Sequence, residues 1–261
     1  MKYSDFHVHS KFSDGGSFSE EVVLSAIGKG LRAIGFSEHS YTPMDYPFCL
    51  HLDKIEEYAE EVARLKEKYK DKIDVYHGIE QDYYAPLPPE GYDYVIGSVH
   101  WIKTPDGHIP VDNRPEILRE SAEKYFGGDI YALIETYYGM VSEVVDKWGA
   151  DIVGHFDLIT KFIELDPTLF DENHPRYVAA WKKAADKLLA TGALFEINTG
   201  AISRKCRTTP YPATPILEYL KSHGAKFVLS SDSHSAENIV FMFDTIDEET
   251  VDFGEILKNR T

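Results

Sequence analysis

Short apolar runs alternate with longer amphipathic stretches along the chain, and this alternation predicts β-strands and α-helices in turn. The first apolar run, from Tyr3 to Val8, is bounded by polar residues and predicts a strand. Six more strands are predicted at Ala33 to Ser37, Ile73 to Ile79, Tyr94 to Val99, Ile152 to Gly154, Leu194 to Asn198 and Phe227 to Ser231. Strands that alternate with helices are typical of a parallel sheet, so the pattern predicts an α/β fold.

Apolar residues at helical spacing fill most of the segments between these strands. Ser17 to Glu20 has the capping-box pattern, and Asp53 to Glu56 is predicted to cap an amphipathic helix that ends near Tyr69. Further helices are predicted at Arg114 to Tyr125, Asp129 to Trp148, His174 to Ala190 and Ala213 to His223. A loop follows the third strand, because the proline-rich segment from Pro86 to Gly91 cannot stay helical for long.

Length and composition predict one soluble domain. The 261 residues contain no repeat and no linker-like tract, so we expect a single domain over residues 1–261. No run of about 18 apolar residues and no leader-like N-terminus is present, which favours a cytoplasmic protein that does not enter a membrane. Cys49 and Cys206 are too few for a disulfide framework and are predicted to be ordinary thiols in a reducing compartment.

The charge is strongly negative, with 44 acidic against 27 basic residues and a net charge of −17. No block of lysine and arginine supplies the basic face that a nucleic-acid binder needs, so binding of nucleic acid is not expected. A small substrate fits the composition better, and bound cations would cancel part of the negative charge.

Side chains with metal-binding chemistry stand at the ends of the predicted strands. His7 and His9 share one face of an extended segment, because strand side chains alternate with period two, and Asp232 and His234 repeat this spacing. The carboxyl ends of parallel strands converge at one mouth of a barrel, and imidazole and carboxylate groups are the usual ligands of Zn, Mn and Fe. The candidates are His7, His9, His39, Glu80, His100, His155, Asp232 and His234. They predict a multi-metal site and therefore a metallohydrolase.

These segments, in their order along the chain, resemble the motifs of the PHP (polymerase and histidinol phosphatase) superfamily. The motifs are His7-Val-His-Ser-Lys-Phe-Ser-Asp14-Gly15, Glu38-His39, Gly78-Ile-Glu80, Gly97-Ser-Val-His100, Gly154-His155 and Ser231-Asp232-Ser-His234. Within the superfamily the chain is most similar to histidinol-phosphate phosphatases. That similarity rests on the length and on the segments that end at Trp101, at Asp157 and at Gly200.

The resemblance implies a distorted (β/α)7 barrel that holds three divalent metal ions, which could be Zn, Mn or Fe. Glu80 would bridge the first two ions, and Asp14 joins the ligand set of the third. By motif, the first ion would be held by His7, His9, Glu80 and Asp232, the second by Glu80, His100 and His155, and the third by Asp14, His39 and His234. The implied activity is metal-dependent hydrolysis of L-histidinol phosphate in histidine biosynthesis.

Phosphomonoester hydrolysis also requires an activated water, proton transfer and phosphate contacts. Asp232 is expected to accept the proton of the nucleophile, and His234 or a metal-bound water is expected to protonate the leaving alcohol. Lys161 and Arg204 follow strand ends in two loops where the family places basic residues, so both are expected to bind phosphate. Candidates for contacts with the rest of the substrate are Glu38, Tyr41, Asp45, Trp101 and Asp157.

Two other functions stay open at this stage. The same site could act on another small phosphate ester, a nucleotide or a phosphotyrosine, or the barrel could bind metals without turnover. The second is disfavoured, because no motif position is occupied by an apolar residue. Asn198 is predicted to support the ligands rather than to bind a metal. The histidines outside the motifs are expected to be surface or core residues; they are His51, His77, His108, His174 and His223.

Overall fold

The computed structural model describes residues 3–259, in which seven parallel strands form one nearly closed barrel. The strands are β1 (Ser4–Asp5), β2 (Ala33–His39), β3 (Asp74–Asp82), β4 (Tyr94–Ser98), β5 (Trp101–Thr104), β6 (Gly107–Pro110), β7 (Ile152–Val153), β8 (Leu194–Asn198) and β9 (Phe227–Ser230). The barrel order is β1-β2-β3-β4-β7-β8-β9, and a parallel bridge between Val8 and Ser233 links the first strand to the last. The predicted α/β barrel is confirmed.

All seven predicted strands are present, but the first is shorter than predicted. Only Ser4–Asp5 pairs continuously with β2. The buried carboxylate of Asp5 accepts hydrogen bonds from the backbone nitrogens of His7 (3.4 Å), Ser231 (3.1 Å) and Val240 (2.9 Å). A side chain therefore replaces part of the strand ladder where the barrel closes. The hairpin of β5 and β6 was not predicted from the sequence.

The helices are α1 (Ser19–Gly28), α2 (Ile55–Tyr69), α3 (Pro115–Tyr125), α4 (Ile130–Val141), α5 (Val144–Trp148), α6 (Pro175–Leu189), α7 (Gly200–Ser203), α8 (Thr214–Ser222) and α9 (Phe253–Lys258). The stretch predicted as one helix from Asp129 to Trp148 is two helices. The backbone nitrogen of Glu143 bonds to the carbonyl of Met140 at 2.9 Å, and this tighter turn ends α4.

Both predicted helix caps are wrong in detail. The N-cap residue of α1 is Phe18, whose backbone nitrogen donates to the carboxylate of Glu21 at 2.7 Å. Glu20 instead pairs with Lys68 on α2. Asp53 lies in a 3-10 turn, Leu52–Lys54, and does not cap α2 with its side chain. The sequence therefore placed the start of each helix to within one residue. It misassigned the capping side chains, because several acidic residues lie close together at both helix starts.

The end of the barrel opposite the strand carboxyl ends is filled by aromatic side chains. Tyr94 is buried, and its hydroxyl donates to the carbonyl oxygens of Phe6 (2.6 Å) and Phe36 (3.0 Å). A Cβ atom at Gly78 would lie 2.2 Å from the Tyr94 ring, so the neighbouring strand must carry glycine there. α9 packs Phe253 against the same cluster.

The structure bears on the predictions about membrane-spanning segments and about the two cysteines. No helix within residues 3–259 is long and apolar enough to cross a membrane. Cys49, which is buried, and Cys206, which is partly buried, are both free thiols, as the sequence predicts.

We expect Gly78→Ala to lower the free energy of unfolding by about 1–3 kcal/mol or more, because the added methyl group overlaps the Tyr94 ring in a closely packed interior. The matched control is Gly139→Ala on α4, where a Cβ meets no atom within 4 Å. That change should be neutral or stabilise by about 0.5–1 kcal/mol. Urea denaturation of the metal-loaded protein measures both, and equal effects would contradict the packing argument.

Candidate metal centre

The nine predicted metal ligands lie together at the carboxyl end of the barrel. His39 ends β2 directly opposite Glu80 in β3, and His100 and His155 follow β4 and β7. The remaining ligands come from the segments after β1 and β9; they are His7, His9, Asp14, Asp232 and His234. Parallel strand ends converge at this mouth, which is why residues more than 200 positions apart become neighbours.

Glu80 is the centre of the cluster, and its side chain is fully buried. Its Oε2 atom lies 2.8 Å from Nδ1 of His39, 3.3 Å from Nε2 of His7 and 3.6 Å from Nε2 of His9. Asp232 completes this side, with Oδ1 at 3.5 Å from Nε2 of His9 and 3.9 Å from Nε2 of His7. One carboxylate oxygen of Glu80 therefore faces one group of ligands.

The other oxygen of Glu80 faces a different pair of imidazoles. Oε1 lies 2.9 Å from Nε2 of His155 and 3.5 Å from Nε2 of His100. The second ring nitrogen of His100, Nδ1, is 3.2 Å from the carboxylate of Asp82, which also accepts from the His100 backbone nitrogen at 3.0 Å. This arrangement suits a carboxylate that binds two ions, one with each oxygen.

A third group forms around Asp14 at the rim of the mouth. Its carboxylate oxygens lie 3.7 Å from Nε2 of His39 and 3.2 Å from Nε2 of His234. The ring of His9 stacks on His39 with centroids 4.3 Å apart and lies 4.4 Å from the ring of His234. His9 and His39 thus stand between groups that the sequence assigns to separate ions.

The donor set fits divalent cations. Many ligand atoms are 3.3–3.9 Å apart, which is long for a hydrogen bond, whereas two ligands of one tetrahedral ion at about 2.1 Å stand roughly 3.4 Å apart. Buried atoms also lack hydrogen-bond partners, among them Nε2 of His7 and both ring nitrogens of His9. Among residues 3–259, three groups have ligand atoms within 4.8 Å of one another: His9, Asp14, His39 and His234; His7, His9 and Asp232; His39, Glu80 and His100.

Charge in the cluster is mutually compensated. Burial opposes ionisation of Glu80, but His7, His39 and His100 hold its pKa well below the usual range. Burial likewise opposes protonation of His39, yet the carboxylates of Glu80 and Asp14 raise its pKa to about 10. Metal ions can replace the protons carried by the imidazoles, because such ions bind the deprotonated ligands and neutralise the same carboxylates.

Glu196 is a functional residue to which sequence reasoning gave no role. It is buried and accepts hydrogen bonds from Nδ1 of His7 (2.6 Å), the backbone nitrogen of His155 (2.8 Å) and Nδ2 of Asn198 (3.0 Å). The bond to Nδ1 leaves Nε2 of His7 free to bind a metal. The available signal was the alternation of Glu196 and Asn198, which places both on the inner face of β8. Asn198 contacts Glu196 and Asp232, in line with its predicted supporting position.

Glu38 points away from the metal cluster, as strand alternation predicts for a residue beside His39. Its carboxylate accepts hydrogen bonds from the backbone nitrogen of Ser10 at 3.0 Å and from the hydroxyl of Ser13. Burial raises the pKa of Glu38 to about 7. Glu38 therefore fixes the turn that carries Asp14. In the same way, Asp82 fixes His100 and Glu196 fixes His7.

A cavity of about 420 Å³ opens beside the cluster, and both predicted phosphate-binding residues line it. Arg204 contacts Asp232 through two bonds of 2.9 Å, from Nη2 to the carboxylate and from Nη1 to the backbone carbonyl. Lys161 bonds to the carboxylate of Asp112 at 3.0 Å. Asp232 has a backbone φ of +50°, a conformation that is uncommon outside glycine and is frequent at functional sites.

Of the five candidates for contacts with the rest of the substrate, Asp45 and Trp101 line this cavity. Glu38 and Asp157 are buried outside it. Asp157 lies 3.5 Å from the guanidinium of Arg207 and accepts from the backbone nitrogen of Ala213 at 2.9 Å, so it stabilises a loop. Tyr41 is not among the residues that line the cavity.

The five histidines outside the motifs belong to none of the ligand groups found in residues 3–259. His174 accepts from the backbone nitrogen of Arg176 and caps α6. His77 packs between Tyr58 and Tyr92. His51, His108 and His223 contact neighbouring tyrosines.

Comparison with known proteins agrees with this geometry. A family model described as "PHP domain" matches residues 5–200. A Schizosaccharomyces pombe protein named "Probable histidinol-phosphatase" is 32% identical over 240 residues, which cover 84% of this chain and 76% of that protein. A Deinococcus radiodurans protein of the same name is 30% identical over 261 residues, with 96% and 93% of the two chains covered.

A solved structure has a similar fold. The crystal structure of histidinol phosphate phosphatase from Lactococcus lactis, complexed with Zn, L-histidinol and phosphate, superposes with a TM-score of 0.62 at 24% identity. The alignment covers 99% of this chain and 93% of that chain.

We expect Glu196→Gln to weaken metal binding by about 10- to 100-fold, because loss of the carboxylate removes the anion that orients and polarises His7. Competition with a chromophoric chelator measures the affinity, and circular dichroism checks the fold. Glu90→Gln, in an exposed loop, is the matched control and should bind metal as the unmodified chain does. Unchanged affinity in Glu196→Gln would show that His7 does not depend on this contact.

Proposed function

The chain belongs to the PHP domain family, and from this membership and the geometry of its metal centre we propose that it hydrolyses L-histidinol phosphate to L-histidinol and phosphate, a step of histidine biosynthesis. The observation that carries the proposal is the buried ligand cluster beside a cavity with two cationic side chains, Lys161 and Arg204. Relatives named histidinol-phosphatase align with most of the chain, and the Lactococcus lactis structure contains Zn, L-histidinol and phosphate.

We assign three divalent ions to the cluster. The donor types suit Zn, Mn or Fe, and the Zn bound in the Lactococcus lactis protein favours Zn. Glu80 would help to hold two of the ions, and Asp14, which lines the cavity, would help to hold the third. The ligand groups within residues 3–259 contain His7, His9, Asp14, His39, Glu80, His100, Asp232 and His234. We add His155, whose Nε2 lies 2.9 Å from Oε1 of Glu80. When bound, such ions lower the pKa of a water nucleophile and neutralise charge on phosphoryl oxygens.

Proton transfer falls to the residues at the mouth. Asp232 is positioned to accept the proton of the attacking water, since Arg204 holds one of its oxygens and the other faces His7 and His9. Nδ1 of His234 lies 3.0 Å from the carbonyl oxygen of Asp232, which can accept a hydrogen bond from it. Nε2 of His234 cannot bind an ion and donate a proton at the same time, so we assign His234 to ion binding and the leaving-group proton to water.

Arg204 and Lys161 are proposed to bind the phosphate. Both side chains line the cavity, and each is held by a carboxylate, Asp232 or Asp112, that fixes its direction. A planar guanidinium can donate to two phosphoryl oxygens at once, whereas an ammonium acts as a point charge. Arg204 should therefore contribute more than Lys161.

The function is tested by steady-state kinetics on L-histidinol phosphate beside an aryl phosphate, phosphotyrosine and a nucleotide, with metal content determined on the same sample. We expect the highest kcat/KM for L-histidinol phosphate and about three ions per chain. Chelation should abolish turnover, and Zn, Mn or Fe should restore it. A stoichiometry near one that supplementation does not change would contradict the three-ion site. Faster turnover of phosphotyrosine or a nucleotide would assign the site to another ester.

We expect Arg204→Ala to lose about 2–4 kcal/mol of transition-state binding, or roughly 30- to 1,000-fold in kcat/KM, because a bidentate phosphate contact disappears. Arg204→Lys should recover part of the loss, and Lys161→Ala should have a smaller effect. Metal content is measured on each variant, because Arg204 also contacts Asp232. Arg64→Ala, a surface change on α2, is the control. Wild-type kcat/KM and phosphate inhibition in Arg204→Ala would exclude Arg204 from the phosphate site.

A further inference from the structure

Four aspartates line the cavity beside the metal centre, and they differ in what their carboxylates already contact. Asp14 and Asp232 belong to the ligand cluster, and Asp112 receives the ammonium of Lys161 at 3.0 Å. The carboxylate of Asp45 has no hydrogen bond and no ion pair within the part of the chain that the structure describes. Asp45 is also half-buried, and burial raises its pKa.

The backbone holds Asp45 in a fixed place relative to the metal ligands. Asp45 ends a 3-10 turn, Pro43–Asp45, and its carbonyl oxygen accepts from the backbone nitrogens of Phe48 (2.8 Å) and Cys49 (3.2 Å). The segment returns to β2 where the backbone nitrogen of Leu50 donates to the carbonyl oxygen of His39 at 2.8 Å. A carboxylate on such a closed turn is preorganised, so a ligand that binds it pays little ordering entropy.

The surroundings of Asp45 differ from those of the phosphate-binding side. The segment after β2 supplies Asp45, and Trp101 is the first residue of β5. Phe48, with 54% of its surface exposed, also lines the cavity. The basic residues, Lys161 and Arg204, come from the segments after β7 and β8, which follow β4 in the barrel order. One part of the cavity wall therefore combines an unpaired carboxylate with aromatic side chains, and another carries the two cationic side chains, each paired with a carboxylate.

We propose that Asp45 is a specificity-determining residue that binds the ammonium group of the substrate, with Trp101 and Phe48 as the apolar wall for its ring. This inference rests on the proposed function. A phosphate ester without a cationic group leaves the carboxylate of Asp45 partly desolvated and unpaired, and a site with an unmatched polar group rejects such a ligand. The substrate class is thus a phosphomonoester of an amino alcohol that carries a ring.

The experiment compares two substrates that differ only in the ammonium group: L-histidinol phosphate and its analogue with hydrogen in place of the amine, 3-(imidazol-4-yl)propyl phosphate. For the unmodified enzyme we expect kcat/KM to favour L-histidinol phosphate by on the order of 10- to 100-fold. Asp45→Asn should remove most of this preference by lowering kcat/KM for L-histidinol phosphate, with less than about a threefold change for the analogue. Asp45→Glu should keep part of the preference. Asp53→Asn, an exposed aspartate in the next turn, is the matched control.

The outcomes separate this inference from the proposed function. If the unmodified enzyme turns over neither imidazole substrate but hydrolyses other esters, the proposed function is wrong. If it hydrolyses both equally well, or if Asp45→Asn loses activity on both to the same extent, the ammonium contact is wrong. Metal content measured on each variant shows whether Asp45 acts through the ion cluster, which would also overturn the inference. The comparison of the two substrates on the unmodified enzyme tests the ammonium contact even if a variant fails to fold.

Discussion

A carboxylate buried at the mouth of a barrel is the constraint on which the rest of this structure depends. Glu80 has no contact with solvent, and an ionised carboxylate in that position is costly unless cations surround it. Imidazole groups from four other strand ends meet it at 2.8–3.6 Å. The closed parallel sheet is the architecture that brings so many strand ends to one point.

A second layer of buried carboxylates keeps the ligands in place. Glu196 orients His7, Asp82 orients His100, and Glu38 fixes the turn that carries Asp14. Each of these carboxylates accepts backbone as well as side-chain hydrogen bonds, so the scaffold fixes its direction. Metal affinity is therefore a property of residues that need not touch an ion.

Stability and chemistry are separated along the barrel axis. Tyr94 and its neighbours fill one end with apolar packing, and the glycine at position 78 gives that ring its space. The other end carries the candidate metal ligands and a cavity lined by both acidic and basic side chains. A net charge of −17 would repel a phosphate ester, but Lys161 and Arg204 place positive charge in the cavity where we propose that the phosphate binds.

The sequence by itself determined the succession of strands and helices along the chain and the residues at the strand ends. Local period-two spacing placed His7 with His9 and set Glu38 on the opposite face from His39, because alternation is a property of a single strand. Only the tertiary structure paired His7 with Glu196, 189 positions away, and Asp157 with Arg207. Within residues 3–259 it also left the carboxylate of Asp45 without a partner. It also ended β1 early and moved the first helix cap by one residue. These contacts and element ends depend on which polar groups meet across the closed barrel, and no local sequence pattern specifies the distances between such groups.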